Sequence, residues 1–405
     1  MKHMIKMFAL GIICLGVSCT KQFQPETGAE TQTGIPEMPP EQYKASLEQE
    51  MAKVDARRTK LLDAFNQNVQ EVKLKAELSL PSSAKKSMIK VPGDYASIQE
   101  AVDNAAPGAT IKVSGHHVGR LVIPVPGIEI HGVDGASIEP PDADLFWTIA
   151  IVADDVSVKG MHVIGTVVAQ DCMGLSLKNN DIEGPGDNVI FFGVSTSRIQ
   201  GNYIHNSLAS PFTSGNGIWT TYSDLNNSDN NTIQANKLSQ LLDAGINIGR
   251  GTGNIIRSNT VTEAENGIYL TSSQENKIQD NFLYENNYAG IWLIFSGNNT
   301  IVDAKSNLNG MGIALAFASN NHIKDVTTSD NSLGGINLVA LSRSNIIQDA
   351  TVLNNDGIGI YMGFFCFNNT VKNSTASGNI PCDFSEGTNN TILIDTNFAD
   401  TDCSN

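Results

Sequence analysis

The 405-residue chain carries a formal charge of −16, unevenly spread: residues 1–91 hold 13 Lys/Arg against 10 Asp/Glu, whereas residues 92–405 hold 13 against 32. A body of charge −19 (13 minus 32) repels phosphate backbones, so nucleic acid is excluded as the expected partner, and cations or basic and neutral ligands remain. No apolar run after residue 19 is long enough to span a bilayer.

In chain order, the first element is an export signal. Lys2 and Lys6 precede the short apolar stretch Met7 to Val17, and Ser18 precedes Cys19. Leu15-Gly16-Val17-Ser18-Cys19 resembles a lipobox with Gly16 where a Leu is usual, which makes residues 1–19 a lipoprotein signal peptide and Cys19 the lipidated mature N-terminus; plain secretion is the alternative. The expected location is exported and lipid-anchored, at the outer membrane, with the lipid as the sole membrane contact. Residues 20–40 are rich in Thr, Gly, Pro, Glu and Gln, cannot bury a core, and serve as a tether.

Over residues 41–80 the pattern changes. Tyr43, Leu47, Met51, Val54, Leu61, Phe65, Val69 and Val72 recur at three- and four-residue steps among charged residues, which predicts one long amphipathic helix. It either packs back on its own chain or pairs with copies of itself; Ala56, Arg58 and Asn66 interrupt the heptads and favour the first. Met88 to Val91 then predicts a strand, Ser97-Ile98-Gln99-Glu100 a capping box opening a short helix to about Ala105, and Ala109 to Val113 a second strand.

Repeats follow. Asn-x-Ile/Val recurs at Asn231, Asn254, Asn276, Asn299, Asn321, Asn345, Asn369 and Asn390, in steps of 21 to 24 residues. Gly-Ile recurs in its own phase at Gly245, Gly267, Gly290, Gly312, Gly335 and Gly359. Apolar positions alternate within each repeat, so the elements are short strands, three to a coil, with Asn and Gly at the turns; weaker coils precede these, giving about twelve. An exported chain can form disulfides among Cys172, Cys366, Cys382 and Cys403; Cys382 with Cys403 is the preferred pair, both lying in the last coil and tail, with connectivity left open.

This phasing, the strand–helix–strand cap and the Asn ladders resemble the pectin-lyase-like superfamily over roughly residues 88–395, within a β-helix domain expected over 88–398. The resemblance implies an all-β solenoid, a right-handed parallel β-helix closed by an N-terminal helical cap. The superfamily includes polysaccharide lyases, hydrolases and epimerases, phage tailspikes and a maturation protein of nitrous oxide reductase, so it implies no single activity. The chain lacks the catalytic elements of these enzymes: of the polygalacturonase set only Asp154-Asp155 and an out-of-order His131-Gly132 occur, and the Asp-Pro-His-Glu of the epimerases is missing. His116, His117, His131 and His162 are expected to be unrelated surface histidines rather than a copper site, because no ligand spacing supports one.

Stacking converts a repeated position into a surface column. One column holds Asp280, Asp303, Asp325 and Asp349, whose mutual repulsion would be relieved by Ca²⁺, by raised pKa values suited to acid–base catalysis, or by turn hydrogen bonds and solvent. A second follows the Gly-Ile pair and holds Trp219, Asn247, Tyr269, Trp292, Asn337 and Tyr361; with Tyr222 it offers either a platform for sugar rings or a surface that the long helix covers. The coil from Ile199 to Ile233 is longer than its neighbours, and its loop Asn206 to Asn231 either walls a cleft or is a plain surface excursion. Two functions follow as expectations: a lipoprotein that binds or scaffolds surface polysaccharide without a cofactor, or a Ca²⁺-dependent lyase or epimerase acting on an acidic glycan through the Asp column.

Overall fold

The structure, a computed structural model, describes residues 40–79, 88–142, 146–208, 214–387, 391–401 and 403; the signal peptide and Cys19 lie outside the described residues. The chain winds into a parallel β-solenoid of about 13 turns. Each full coil contributes three short strands in sequence order, illustrated by Thr232–Gln234 on a first face, Lys237–Leu241 on a second and Ala244–Gly249 on a third. Every pairing among the described strands is parallel, as in Ile233↔Ile256 and Leu238↔Val261, and the register is continuous except for shifts between Ser114 and His116 and between Glu183 and Pro185. Twelve strands stack on the third face. The first two faces form one sheet because Thr110–Val118 and Glu129–Glu139 run through the corner between them.

Inward positions stack into one apolar core, with Ile233, Ile256, Ile278, Ile301, Ile323 and Ile347 forming one fully buried column and Ile246, Ile268, Ile291, Ile313, Ile336 and Ile360 another. Alternation then points the residues between them outward. The open first coil is closed by α2 (Ile98–Asp103), where Glu100 N donates to Oγ of the N-cap Ser97 (3.1 Å) and the Glu100 carboxylate reaches past the cap to accept from Ala96 N (3.1 Å). A disulfide joins Cys382 to Cys403 at the far end.

The punctuating residues work differently from their simplest sequence reading. The ladder Asn residues are buried hydrogen-bonding groups, while the left-handed conformation falls on the residue before each of them, such as Gly253 (φ 69°), Glu275 (56°) and Asn298 (56°). Asn276 Oδ1 accepts from both the backbone N (2.9 Å) and Nδ2 (3.0 Å) of Asn254, and its own Nδ2 donates to Asn299 Oδ1 (3.0 Å). Similar ladders run through Asn180, Asn202, Asn236, Asn259 and Asn281, and through Asn309, Asn331, Asn355 and Asn379, at other corners. The Gly of each Gly-Ile pair is required by close approach: a Cβ on Gly267 would lie 2.5 Å from Gly290 O, and one on Gly312 2.5 Å from Gly335 O.

The long helix, α1 (Pro40–Ser79), is 40 residues and so about 60 Å long. Leu61, Leu62, Phe65 and Val69 are buried against the outward side of the third face, on Val122, Ala150, Val168, Ile190, Phe192 and Trp219, with Trp147 beside them. The helix therefore packs on its own chain. Among the described residues, no helix is long and apolar enough to cross a membrane.

Replacing Asn299 by Ala removes the acceptor of Asn276 and leaves a buried backbone N–H without its partner. It is expected to cost about 2 kcal/mol, measured by denaturant unfolding; a loss below about 0.5 kcal/mol would show that the ladders are incidental.

Candidate functional site

The outward column of the third face is largely covered. Trp219 is 1% exposed, beneath α1, with the Arg57 guanidinium 5.1 Å from its ring and Phe192 packed edge-on. Tyr222 is held between Arg58 (4.0 Å) and Arg250 (4.3 Å), its hydroxyl donating to Asp55 (2.9 Å), which also pairs with Arg250 (2.8 Å). Burial and the bond to Asp55 raise the pKa of this phenol. Both aromatics thus anchor the helix instead of forming a sugar platform. Asn247, Asn337 (3% exposed) and Tyr361 (6%) are buried too, whereas Tyr222 and the pair Tyr269 and Trp292, stacked at 5.0 Å, keep partial exposure. Within the described part of the segment Asn206 to Asn231 lies the third-face strand Ile218–Thr221, and beyond it Asp224 meets Arg58 at 3.4 Å.

Asp280, Asp303, Asp325 and Asp349 all occupy a left-handed corner between the first and second faces, with φ of 52–54°, as do Ala235, Ser258 and Asn373 in the same column. The corner conformation explains the residue type, since Asp and Asn tolerate it. Their carboxylates do not converge. Lys324 pairs with Asp325 (3.1 Å) and lies in the field of Asp349 and Asp303, which raises its pKa, and Gln348 donates to Asp349 (2.8 Å). Among the described residues, no three His, Cys, Asp or Glu side chains come together to hold a metal ion.

A concentration of reactive side chains lies instead on the second face. The pairings Ser137↔His162, His162↔Asp181, Asp181↔Tyr203 and Tyr203↔Lys237 form one outward column, and Glu183↔His205↔Ser239 a parallel one. His162 Nε2 lies 3.0 Å from Glu183 Oε1, His205 Nδ1 3.6 Å from Glu183 Oε2, and His205 Nε2 2.9 Å from Asp181 Oδ1. Asn206 Nδ2 donates to Glu183 (2.8 Å), and that bond, followed by the neighbouring imidazoles, holds the Glu183 pKa below the usual range. At the N-terminal edge of the same face, His116 Nδ1 lies 2.9 Å from Ser137 Oγ and His116 Nε2 3.3 Å from Glu139 Oε1. Two aromatic pairs are exposed here: Tyr203 (38%) stacks on His205 at 4.1 Å, and Phe282 (39%) lies 4.8 Å from Tyr284. Lys237, with Nζ 5.1 Å from the Tyr203 ring, and Thr260 separate them, a span of three strand spacings or about 14 Å. The sequence held one clue, the Tyr-Ile-His and Asp-Ile-Glu triplets at 203–205 and 181–183, but their coils are irregular in length.

Residues 283–399 match a family model described as "Right handed beta helix region", and residues 149–319 one described as "Periplasmic copper-binding protein (NosD)". The catalytic domain of a GH87 α-1,3-glucanase superposes with a TM-score of 0.63 at 13% identity, covering 78% of this chain and 70% of that one. The chain has the right-handed parallel β-helix fold. Further fold neighbours of this β-helix protein are the catalytic unit of a thermostable GH87 α-1,3-glucanase from Streptomyces thermodiastaticus (TM-score 0.62, 15% identity, 80% and 72% covered) and a variant of a periplasmic alginate epimerase (0.50, 12%, 76% and 83%). None of the curated proteins compared matches the sequence.

One carboxylate of this β-helix titrates inside the fold. Asp187, fully buried, accepts at Oδ1 from Gly215 N (3.0 Å), Asn216 N (2.5 Å) and Asn216 Nδ2 (2.9 Å); burial raises its pKa against the opposing field of Arg57 on α1. A raised pKa means that folding takes up a proton here, so stability falls as pH rises from the ordinary aspartate range to the raised value and is flat above it. Asp187→Asn keeps an acceptor and removes the titration. Thermal unfolding across pH 3–8 is expected to lose that downward slope, and an unchanged curve would contradict the assignment.

Proposed function

We propose that this protein is an exported, lipid-anchored β-helix that binds an uncharged polysaccharide along its second face. The observation that carries the reading is the placement of two exposed aromatic pairs, Tyr203/His205 and Phe282/Tyr284, on the same outward columns three coils apart. Pyranose rings stack their apolar faces on aromatics, and Lys237 and Thr260 between the pairs supply donors and an acceptor for sugar hydroxyls. A glycan lying along the solenoid axis would meet the same two columns at every coil. The acidic surplus of the solenoid, and the Asp corner bordering this face, argue for a neutral chain over an anionic one.

Support for export comes from the sequence of residues 1–19 and from the periplasmic description of the family model that matches residues 149–319. Glycan-acting fold neighbours, the α-1,3-glucanases and the alginate epimerase, are consistent with a polysaccharide partner. On this reading Cys19 carries the lipid, the tether and α1 follow, and α1 fixes the solenoid to the tether while leaving the second face free.

Affinity electrophoresis in gels containing neutral glucans, mannans or galactans tests the proposal. Retardation by at least one of them is expected, and Tyr203→Ala or Phe282→Ala should each weaken it by about 1 kcal/mol, with circular dichroism unchanged. Retardation by polyuronates alone, or wild-type behaviour of both variants, would overturn it.

A further inference from the structure

We propose that Ser137, His116 and Glu139 form an acyl-transfer site that cleaves O-acyl esters, the ester being carried, on the reading above, by the glycan bound to the same face. Ser137 and Glu139 stand two residues apart on one strand, and therefore on one side of it, while His116 comes from the preceding coil at the paired position. The distances place the three in nucleophile, base and orienting roles. Ser137 Oγ lies 2.9 Å from His116 Nδ1, within reach for proton transfer, and Glu139 Oε1 lies 3.3 Å from the opposite ring nitrogen, where it favours the tautomer that leaves Nδ1 as acceptor. Ser137 and Glu139 are half-buried and His116 is exposed, so an ester on a bulky carrier can approach.

A second imidazole completes the arrangement. His162 is paired with Ser137 in the next coil, its Nε2 is held by Glu183 at 3.0 Å, and its Nδ1 has no partner among the described residues. From the strand position paired with Ser137, the imidazolium form of this ring would supply a donor to the negative charge that develops on the carbonyl oxygen. The ionisable groups facing the site from every neighbouring strand are His116, Glu139, His162, Asp181, Glu183 and His205.

The chemistry balances without a co-reactant other than water. Ser137 Oγ bonds to the ester carbonyl carbon as its proton passes to His116 Nδ1. The carbon–oxygen bond to the sugar then breaks, and His116 returns that proton to the departing alkoxide, leaving an acyl-serine. Water attacks the acyl carbon, its proton passing to His116; the bond to Ser137 Oγ breaks, His116 reprotonates it, and the carboxylic acid leaves.

The full chain is treated with a fluorophosphonate probe and, separately, with p-nitrophenyl acetate. The expected results are one probe adduct on Ser137 by peptide mass spectrometry, none in Ser137→Ala, and turnover reduced about a hundredfold or more in Ser137→Ala and His116→Gln. Glu139→Gln and His162→Gln should each lower kcat by about tenfold with KM unchanged. An unlabelled Ser137, or turnover in Ser137→Ala equal to the wild type, overturns the proposal. O-acetylated and deacetylated forms of a neutral glycan separate the two readings: probe reaction without binding of either form sinks the glycan assignment alone, and binding with an inert Ser137 sinks the acyl-transfer site alone.

Discussion

Everything in this molecule depends on in-register parallel stacking, in which each residue lies one strand spacing from its counterpart in the next coil. The constraint is enforced from inside by the columns of Ile and from the corners by the Asn ladders, where one amide oxygen accepts both a backbone and a side-chain N–H from the coil before. A slip of one residue would turn Ile outward and strand those donors in the core at once. Register is therefore stiff, and a side chain placed on one coil has a fixed neighbour on the next. That is why chemistry can be built here from residues 19 to 25 positions apart, such as Ser137, His162 and Asp181, without any of them being close in sequence.

The same stacking explains what could be read from the sequence and what could not. From Asn231 onward the coils are nearly equal in length, so Asn and Gly-Ile recur in phase, and the solenoid, its cap and its long helix were all legible. In the early coils the outward column Ser137, His162, Asp181, Tyr203, Lys237 advances by 25, 19, 22 and 34 residues. No fixed period reveals that column, and four of the histidines looked unrelated. The in-phase columns that could be seen misled in an instructive way. Four Asp residues recur because a left-handed corner recurs, and Trp219 and Tyr222 are aromatic because a helix must be held against them.

The faces of the solenoid consequently have different duties. The third face is where α1 docks, with an apolar seam at Leu61 to Val69 and an Arg–Tyr–Arg sandwich at Tyr222. The second face stays open and combines aromatic pairs with two imidazole–carboxylate networks, Ser137–His116–Glu139 and His162–Glu183–His205–Asp181. Networks of this kind on a stiff scaffold need no loops to position them, since the β-ladder itself sets each distance.

The central claim is that ligand meets the second face and not the helix-covered third. Hydroxyl-radical footprinting of the full chain, with and without the neutral glycan that retards it most in gels, tests this directly. The account predicts protection of Tyr203, His205, Phe282 and Tyr284 with no change at Tyr269 and Trp292. Protection of Tyr269 and Trp292 with Tyr203 and Phe282 unaffected would contradict it.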